Sequence, residues 1–366
     1  MPTTLLIEPD LTGHRFQAVA HVAQRAHDAG DRVVLLTSRG ASTSEAFTVY
    51  LSDAPIEATE VYDEIHPPTA VMLEAIVDRC REGDVETIVV MDADQSLKRW
   101  WLLAPRAFRG LSKRPRVIFF LTRYPARVPL LDRTQWKLRI TKSVLSVVTM
   151  STRTLHRVAG FAGRDDMHKG WVVRRARDPE VCGAHSRDRT ALRAELELPA
   201  DRKLVGIFGL ISERKNAKLV FEAMESAGID ADLLLAGSIQ PEVKAWIESL
   251  TPEQRQHVIT FDGFLDNALL DKLVAAVDVA PIALTNNGPS GIMGKALAAD
   301  VPVVSAGSRV RARELAATGG GELADLEPAS LAAAIRRVLD RPTGSSPTRN
   351  VPPATADEFA RVVLGR

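Results

Sequence analysis

Short apolar runs alternate with amphipathic stretches from one end of the chain to the other. In the first half, Thr4–Ile7, Arg32–Thr37, Thr87–Met91, Val117–Leu121 and Val147–Met150 have the length and apolarity of buried strands. Between the first two, Phe16, Val19, Ala20, Ala23 and Ala26 recur at helical spacing, which predicts a crossover helix over 14–29, ended by Gly30. The second half repeats the scheme, with strands at Leu204–Phe208, Asp232–Ala236, Val258–Phe261, Val279–Pro281 and Val301–Ser305 and helices over 216–227, 241–249, 266–277 and 291–299. Strands alternating with helices give parallel sheets covered on both faces, so each half predicts a Rossmann-like, doubly wound α/β domain. The expected boundaries are 1–175 and 176–341, joined through the polar segment Trp171–Ala184. Residues 342–366 read as an extended connector, rich in Pro, Gly, Ser and Thr up to Pro353, and a terminal helix over Ala354–Leu364 that reaches back onto the first domain. Ligands of such sheets sit beyond the carboxyl ends of the strands, so the two domains are expected to face a cleft and share one site.

Composition narrows the partners. With 47 basic and 46 acidic residues in 366, the formal charge is +1, which gives no reason to expect nucleic acid. The amino-terminal residues show no basic segment followed by a long apolar one, and no stretch approaches the ~20 apolar residues that span a bilayer, so the expected location is cytoplasmic. Cys80 and Cys182 lie far apart without metal-ligand spacing and read as buried thiols of a reducing compartment, with a disulfide left open. His21, His27 and His257 read as ordinary surface or helix residues, and no set of histidines has metal spacing. The segment 97–137 concentrates Lys98, Arg99, Trp100, Trp101, Arg106, Phe108, Arg109, Lys113 and Arg114. It reads either as a peripheral contact with an anionic membrane or as a solvated helix with two core tryptophans.

The most informative segment is Asn287-Gly-Pro-Ser-Gly-Ile-Met-Gly-Lys295, followed by Ala296–Val304. It reads as a glycine-rich turn opening a helix that runs into a buried strand. The free N–H groups of Ser290, Gly291 and Ile292 would then point from the positive end of the helix dipole at a phosphate.

Five segments in order carry a resemblance: Gly206-Ile-Phe-Gly-Leu-Ile-Ser-Glu-Arg-Lys-Asn216, Leu233–Gly237, Val258–Leu265, Ala276–Pro281 and Asn287–Val304. Over roughly 202–340 the chain resembles the family-four retaining glycosyltransferases of the GT-B fold. The first half resembles that family's acceptor domain only in outline, through Gly13-His14 after the first strand and Leu121-Thr-Arg-Tyr-Pro125. The resemblance implies a hexosyltransferase-like enzyme that moves a sugar from a nucleoside-diphosphate donor to an acceptor hydroxyl with retention, without metal or cofactor other than the nucleotide sugar as substrate. The acceptor is a small molecule, a glycan or a lipid-linked molecule.

For the site, the resemblance implies that Lys215, with Arg214, stabilises the leaving diphosphate beside Gly209, although the family's Arg after that glycine is here Leu210. Backbone groups of Gly263, Phe264 and Leu265 hold the base, and Ser290, Gly291 and Ile292 the diphosphate. Two family glutamates are replaced by Asn287 and Lys295. Asn287 still serves sugar hydroxyls, whereas a charged Lys295 cannot accept from a ribose hydroxyl and would face a phosphate or an acidic group. On the acceptor side stand Gly13, His14, Asp92 and Arg123, the last where the family commonly has histidine; Arg123 would clamp a carboxylate or phosphate, or serve as an interface ion pair. His14 or Asp92 would orient the acceptor hydroxyl, while Asp94 ahead of Gln95-Ser-Leu-Lys98 reads as a helix cap. The rival readings are a non-catalytic GT-B subunit that has lost donor-ribose recognition and an epimerase of nucleotide sugars.

Overall fold

The computed structural model of the chain describes residues 1–128, 131–286, 288, 290–341 and 349–366, except the side chain of His14. Two compact units divide it, Met1–Asp178 with Ala354–Arg366, and Pro179–Pro353. Residues 342–348 of the connector, and Asn287, lie outside the described residues.

In the first unit the strands are β1 (Thr3–Ile7), β2 (Arg32–Ser38), β3 (Glu57–Tyr62), β4 (Val85–Val90), β5 (Arg116–Leu121), β6 (Arg157–Ala162) and β7 (Arg174–Arg177). They form one parallel sheet in the order β3-β2-β1-β4-β5-β6-β7. Side chains alternate between its two faces. Leu5, Ile7, Val34, Leu36, Ile88 and Val90 belong to one core with Trp100, while Leu6, Val33, Leu35 and Val89 belong to the other with Phe16. That second core is completed by Phe359, Ala360, Val363 and Leu364 of the terminal helix Ala356–Leu364. Fully burying each of the larger of these side chains stabilises by about 1.5–3 kcal/mol, enough to hold a helix of this length on the sheet.

The second unit contains β8 (Lys203–Phe208), β9 (Ala231–Gly237), β10 (Val258–Asp262), β11 (Ala280–Ala283), β12 (Val303–Ala306) and β13 (Gly321–Ala324). The ladders β10-β9-β8 and β11-β12-β13 meet through the parallel bridge Val205–Val279, where the Gly206 N–H donates to Val279 O at 2.9 Å. In both units the strand order therefore reverses beside the first strand, between β1 and β4 and between β8 and β11. The crevice at such a reversal is where a doubly wound sheet accepts ligands.

Three expectations need correction. Val147–Met150 is not a strand but the end of the helix Arg133–Ser151. Its β-branched run lies partly on the outer surface of that helix, and tertiary context overrides strand propensity. The strand at this place is Arg157–Ala162. Part of the Trp171–Ala184 segment is the edge strand β7 rather than linker. Asp94 caps no helix: the helix is Leu97–Ala107, its N-cap is Ser96, and the Asp94 carboxylate instead accepts from Thr122 N at 2.9 Å and Arg123 N at 3.0 Å.

Candidate functional site

The end of β8 is built for close backbone approach. Gly209 has φ +89° and Gly237 φ +134°, and a Cβ on Gly237 would lie 2.2 Å from Gly209 O. The chain then makes a short 3-10 turn, Glu213–Lys215, and Asn216 takes a left-handed conformation with φ 53°. Its side-chain amide donates to Ala283 O at 2.7 Å, which ties this turn to the end of β11 across the strand-order reversal.

Lys215 is half-buried, and its ammonium donates to Phe208 O at 3.0 Å with no carboxylate paired to it among the described residues. Burial, reinforced by the charges of Arg214 and Arg311, pushes its pKa down to about 8. Arg214 is exposed. Arg311, from the helix Arg309–Thr318, is fully buried, donating to Asn286 O at 2.9 Å, Gly288 O at 3.0 Å, Asn286 Oδ1 at 3.2 Å and Leu284 O. Burial lowers its pKa as well, against the opposing charge of Glu314. The arginine thus grips, carbonyl by carbonyl, the loop that leads to the helix Gly291–Ala298.

That helix opens on Ser290, whose Oγ accepts from Met293 N at 3.3 Å. Gly291 is exposed, and a Cβ built on it would meet nothing within 4 Å. The amides of Gly291 and Ile292 have no acceptor among the described residues, so the tip is open to an anion. At the end of β10, Gly263 has φ +133° with open space around it, Leu265 is half-buried, and the Phe264 ring is 56% exposed.

Of the two partners expected for Lys295, a phosphate or an acidic group, the structure has the acidic group. Its ammonium is ion-paired with Asp271 of the helix Asn267–Ala276, and both side chains are 10% exposed. Asp271 also accepts from Gly183 N at 2.7 Å. The partner of Lys295 is therefore a carboxylate and not a phosphate, because a buried ammonium needs a neutralising charge and Asp271 supplies it.

In the first unit the ends of β1, β4 and β5 gather carboxylates around two buried cations. Arg15 reaches Asp92 at 2.7 Å, Asp10 at 3.2 Å and Glu8 at 3.8 Å. Lys142 pairs with Asp94 and donates to Arg123 O at 2.7 Å. Thr122 Oγ1 donates between Asp92 Oδ1 at 3.1 Å and Asp94 Oδ2 at 3.0 Å. Burial, then the charge of Asp94, raises the pKa of Asp92; burial would raise Asp94 too, yet Lys142 and the Arg123 amide hold it below its ordinary value. The Arg123 side chain is exposed. Gly13 starts the helix Gly13–Asp28, where a Cβ would meet the Tyr50 ring at 2.9 Å; the His14 side chain lies outside what is described.

Glu8 is buried, and burial pushes its pKa up to about 8, so it is a neutral acid at pH 7. A carboxyl raised in the folded state contributes stability that is fully present below its unfolded value near 4.5 and is lost as pH rises through about 8. Glu8→Gln is expected to abolish this loss, leaving the variant more stable than the parent by about 1–3 kcal/mol at pH 9. Denaturant midpoints measured between pH 5 and 9 check it, and equal pH slopes for the two proteins would refute it.

Three buried cations of these clusters, Arg15, Lys142 and Arg311, escaped the sequence reading. In the run Arg309-Val-Arg-Ala-Arg313 only the middle arginine is buried, and nothing in the pattern separates it from its exposed neighbours. For Arg15 alone, in helical phase with the buried Val19, Val22 and Ala26, was the amphipathic pattern an available signal.

Residues 202–341 match the family model described as glycosyl transferases group 1. The sucrose-phosphate synthase of Thermosynechococcus elongatus superposes with a TM-score of 0.60 at 16% identity, covering 100% of this chain and 94% of its own. The chain has the GT-B fold. A glycosyltransferase from Rickettsia africae ESF-5 gives a TM-score of 0.64 at 11% identity, with 99% of this GT-B chain and 93% of its own covered. The Anabaena protein HepE, solved in complex with UDP-glucose, gives 0.58 at 15% identity, with 99% and 95% covered. A search of curated protein sequences finds no match to the GT-B chain.

Proposed function

We propose that this GT-B protein transfers a sugar from a nucleoside-diphosphate donor to an acceptor hydroxyl, with retention and without a metal ion. The observation that carries the reading is the end of β8 and β11, where Lys215, Arg214 and Arg311 concentrate positive charge next to an open helix tip. Lys215 has no carboxylate partner among the described residues, which suits a site for an anion. The diphosphate would take the amides of Gly291 and Ile292, with Lys215 and Arg214 stabilising the charge that develops as the sugar bond breaks. These groups supply the positive charge that a divalent cation would otherwise supply. The base would lie against Gly263–Leu265, with the exposed Phe264 ring as its stacking surface. The UDP-glucose complex of HepE makes UDP the first donor half to test.

Acceptor recognition is assigned to the first unit. Asp92, held by Arg15 and Thr122 and kept more basic than an ordinary aspartate, would accept the hydrogen bond of the attacking hydroxyl. Arg123, exposed at the end of β5, would hold an acidic or phosphorylated acceptor. Calorimetric titration with UDP, GDP and their sugar conjugates tests the assignment: saturable binding of one diphosphate is expected, and binding of none would favour the non-catalytic subunit.

A cytoplasmic location with peripheral membrane contact completes the reading. Cys80 and Cys182 are free thiols, as a reducing compartment keeps them, and no helix among the described residues is long and apolar enough to cross a membrane. The helix Arg133–Ser151 buries Lys142, Ser146 and Thr149 and packs Leu145 and Met150 on the core, while Leu138, Ile140, Val144, Val147 and Val148 are exposed. From Gln95 to Arg164 the only acid is Asp132, against sixteen Lys and Arg. An apolar stripe within so basic a segment suits an anionic lipid surface. Val144→Glu with Val147→Glu is expected to lower co-sedimentation with phosphatidylglycerol vesicles by about tenfold, leaving UDP affinity unchanged. Undiminished sedimentation, or parent dimers that the variant loses, would assign the stripe to another partner.

A further inference from the structure

The first unit has a second concentration of unmatched positive charge, at the opposite end of its sheet from Asp92. Arg116, Arg157 and Arg174 are the first residues of β5, β6 and β7. Beside the last two a cavity of about 460 Å³ opens between β6, β7, the loop 166–170 and the terminal helix Ala356–Leu364. That volume is in the range of small-molecule sites.

The carboxylates at this cavity are already occupied. Asp166 is bound by both its oxygens to Arg175, at 2.7 and 2.9 Å, and Glu358 pairs with Arg177. Of the cations that remain, Arg366 pairs with Asp31, whereas Arg157, Arg174, Lys169 and Arg361 have no carboxylate partner among the described residues. Arg157 donates to Val362 O at 2.9 Å and Arg174 to Gly170 O at 2.9 Å, while Lys169, Arg361 and the ring of His168 are exposed at the rim. Burial, followed by repulsion from Arg174 and Arg116, lowers the pKa of Arg157; burial and Arg366 lower that of Arg116.

The site is also preorganised. The Arg175–Asp166 pair, with Asp166 1% exposed, anchors the loop that carries His168 and Lys169, and Arg175 N donates to Lys169 O at 3.1 Å. Gly170 has φ +69°, and a Cβ there would lie 2.1 Å from Val173 O, so the turn is specific to glycine. On the far side, Gly365 packs its backbone so closely that a Cβ would come within 2.9 Å of both the Arg116 and Arg157 guanidinium groups. A solvated basic patch would need neither the anchored loop nor guanidiniums pressed against a helix end.

We infer that this cavity binds a compact polyanion with two or three phosphoryl charges, free or as a lipid headgroup, bridging Arg157 and Arg174 to Lys169 and Arg361. Guanidinium groups match phosphoryl oxygens bidentately, and an anion here would relieve the mutual repulsion and fasten the terminal helix to β6 and β7. The inference is independent of the donor site, which lies on the other unit.

Inorganic tripolyphosphate titrated into the full chain tests it, read by calorimetry and by the rise in Tm. Saturable binding is expected, weakened about tenfold or more by Arg174→Glu with Arg361→Glu. Both residues are exposed or rim positions, so the variant is expected to fold. Lys215→Ala should leave this binding intact, as should Lys98→Glu with Arg99→Glu, which removes basic charge elsewhere on the unit. Sedimentation with phosphatidic acid in phosphatidylcholine vesicles separates the two sources: loss in the Arg174/Arg361 variant marks a headgroup site, and no change marks a soluble ligand. Absence of saturation, equal affinity in the Arg174/Arg361 variant, or equal weakening by the Lys98/Arg99 variant would overturn the inference.

Discussion

Lys215→Ala should lower sugar transfer by about 10²–10³-fold and take most of the diphosphate affinity with it, the usual cost of removing a preorganised charge from a leaving-group site. Lys218→Ala, one turn further along the helix Ala217–Ser226 and 64% exposed, should change either quantity by less than about threefold. A more discriminating consequence follows from the environment of Lys215. With its pKa pushed down to about 8, the ammonium loses its proton over a range where an ordinary lysine keeps it. A bound diphosphate favours the charged form, so binding above pH 8 should take up protons. Calorimetry in buffers of different ionisation enthalpy reads this uptake directly, and Lys215→Ala should take up none. Equal effects of the two lysine substitutions, or no proton uptake by the parent, would remove Lys215 from the site.

Arg311→Met should be the most damaging change to the second unit. It retains much of the side-chain volume but strips donors from the carbonyls of Leu284, Asn286 and Gly288 at once. Leaving buried carbonyls without donors costs about 1–3 kcal/mol each, so a loss of about 3–5 kcal/mol in stability is expected, together with loss of the fixed path into the Gly291 helix tip. Arg311→Lys, which keeps a charge and part of the donor set, should recover some stability but little diphosphate affinity, because one ammonium cannot span the same carbonyls. Denaturant unfolding and UDP titration of the two variants separate the effects. Parent-like UDP affinity in either folded variant would show that the loop needs no such clamp.

The strands buried on both faces were legible to within a residue or two, since Leu5, Leu35, Val89 and Leu234 sit in unbroken apolar runs whose period needs no further information. Among the edge strands Val258–Asp262 was legible, but β3, β7 and β13 were not. Glu57-Ala-Thr-Glu-Val-Tyr62 exposes most of its side chains and carries the composition of a loop, and Arg174–Arg177 is mostly charge. The helix Arg133–Ser151 misled because many of its apolar residues, Val147 and Val148 among them, are exposed, while Lys142, Ser146 and Thr149 are buried on its core face beside Leu145 and Met150. At the candidate site the turns were readable, because glycine and serine at Gly209, Ser290 and Gly291 have local conformational causes. The ion pairs were not: Lys295 and Asp271 are 24 positions apart and Arg15 and Asp92 still further, and spacing along a chain says nothing of which cation a fold buries beside which carboxylate.

The central claim, an anion site made by the Gly291 helix tip with Lys215 and Arg214, is met most directly by a crystal of the full chain soaked in UDP. The diphosphate is expected against the Gly291 and Ile292 amides with a phosphoryl oxygen within hydrogen-bond reach of Lys215 Nζ, and the base beside Phe264. A diphosphate bound only beneath β6 and β7, or nowhere in the second unit at saturating UDP, would contradict the assignment of donor chemistry to that unit.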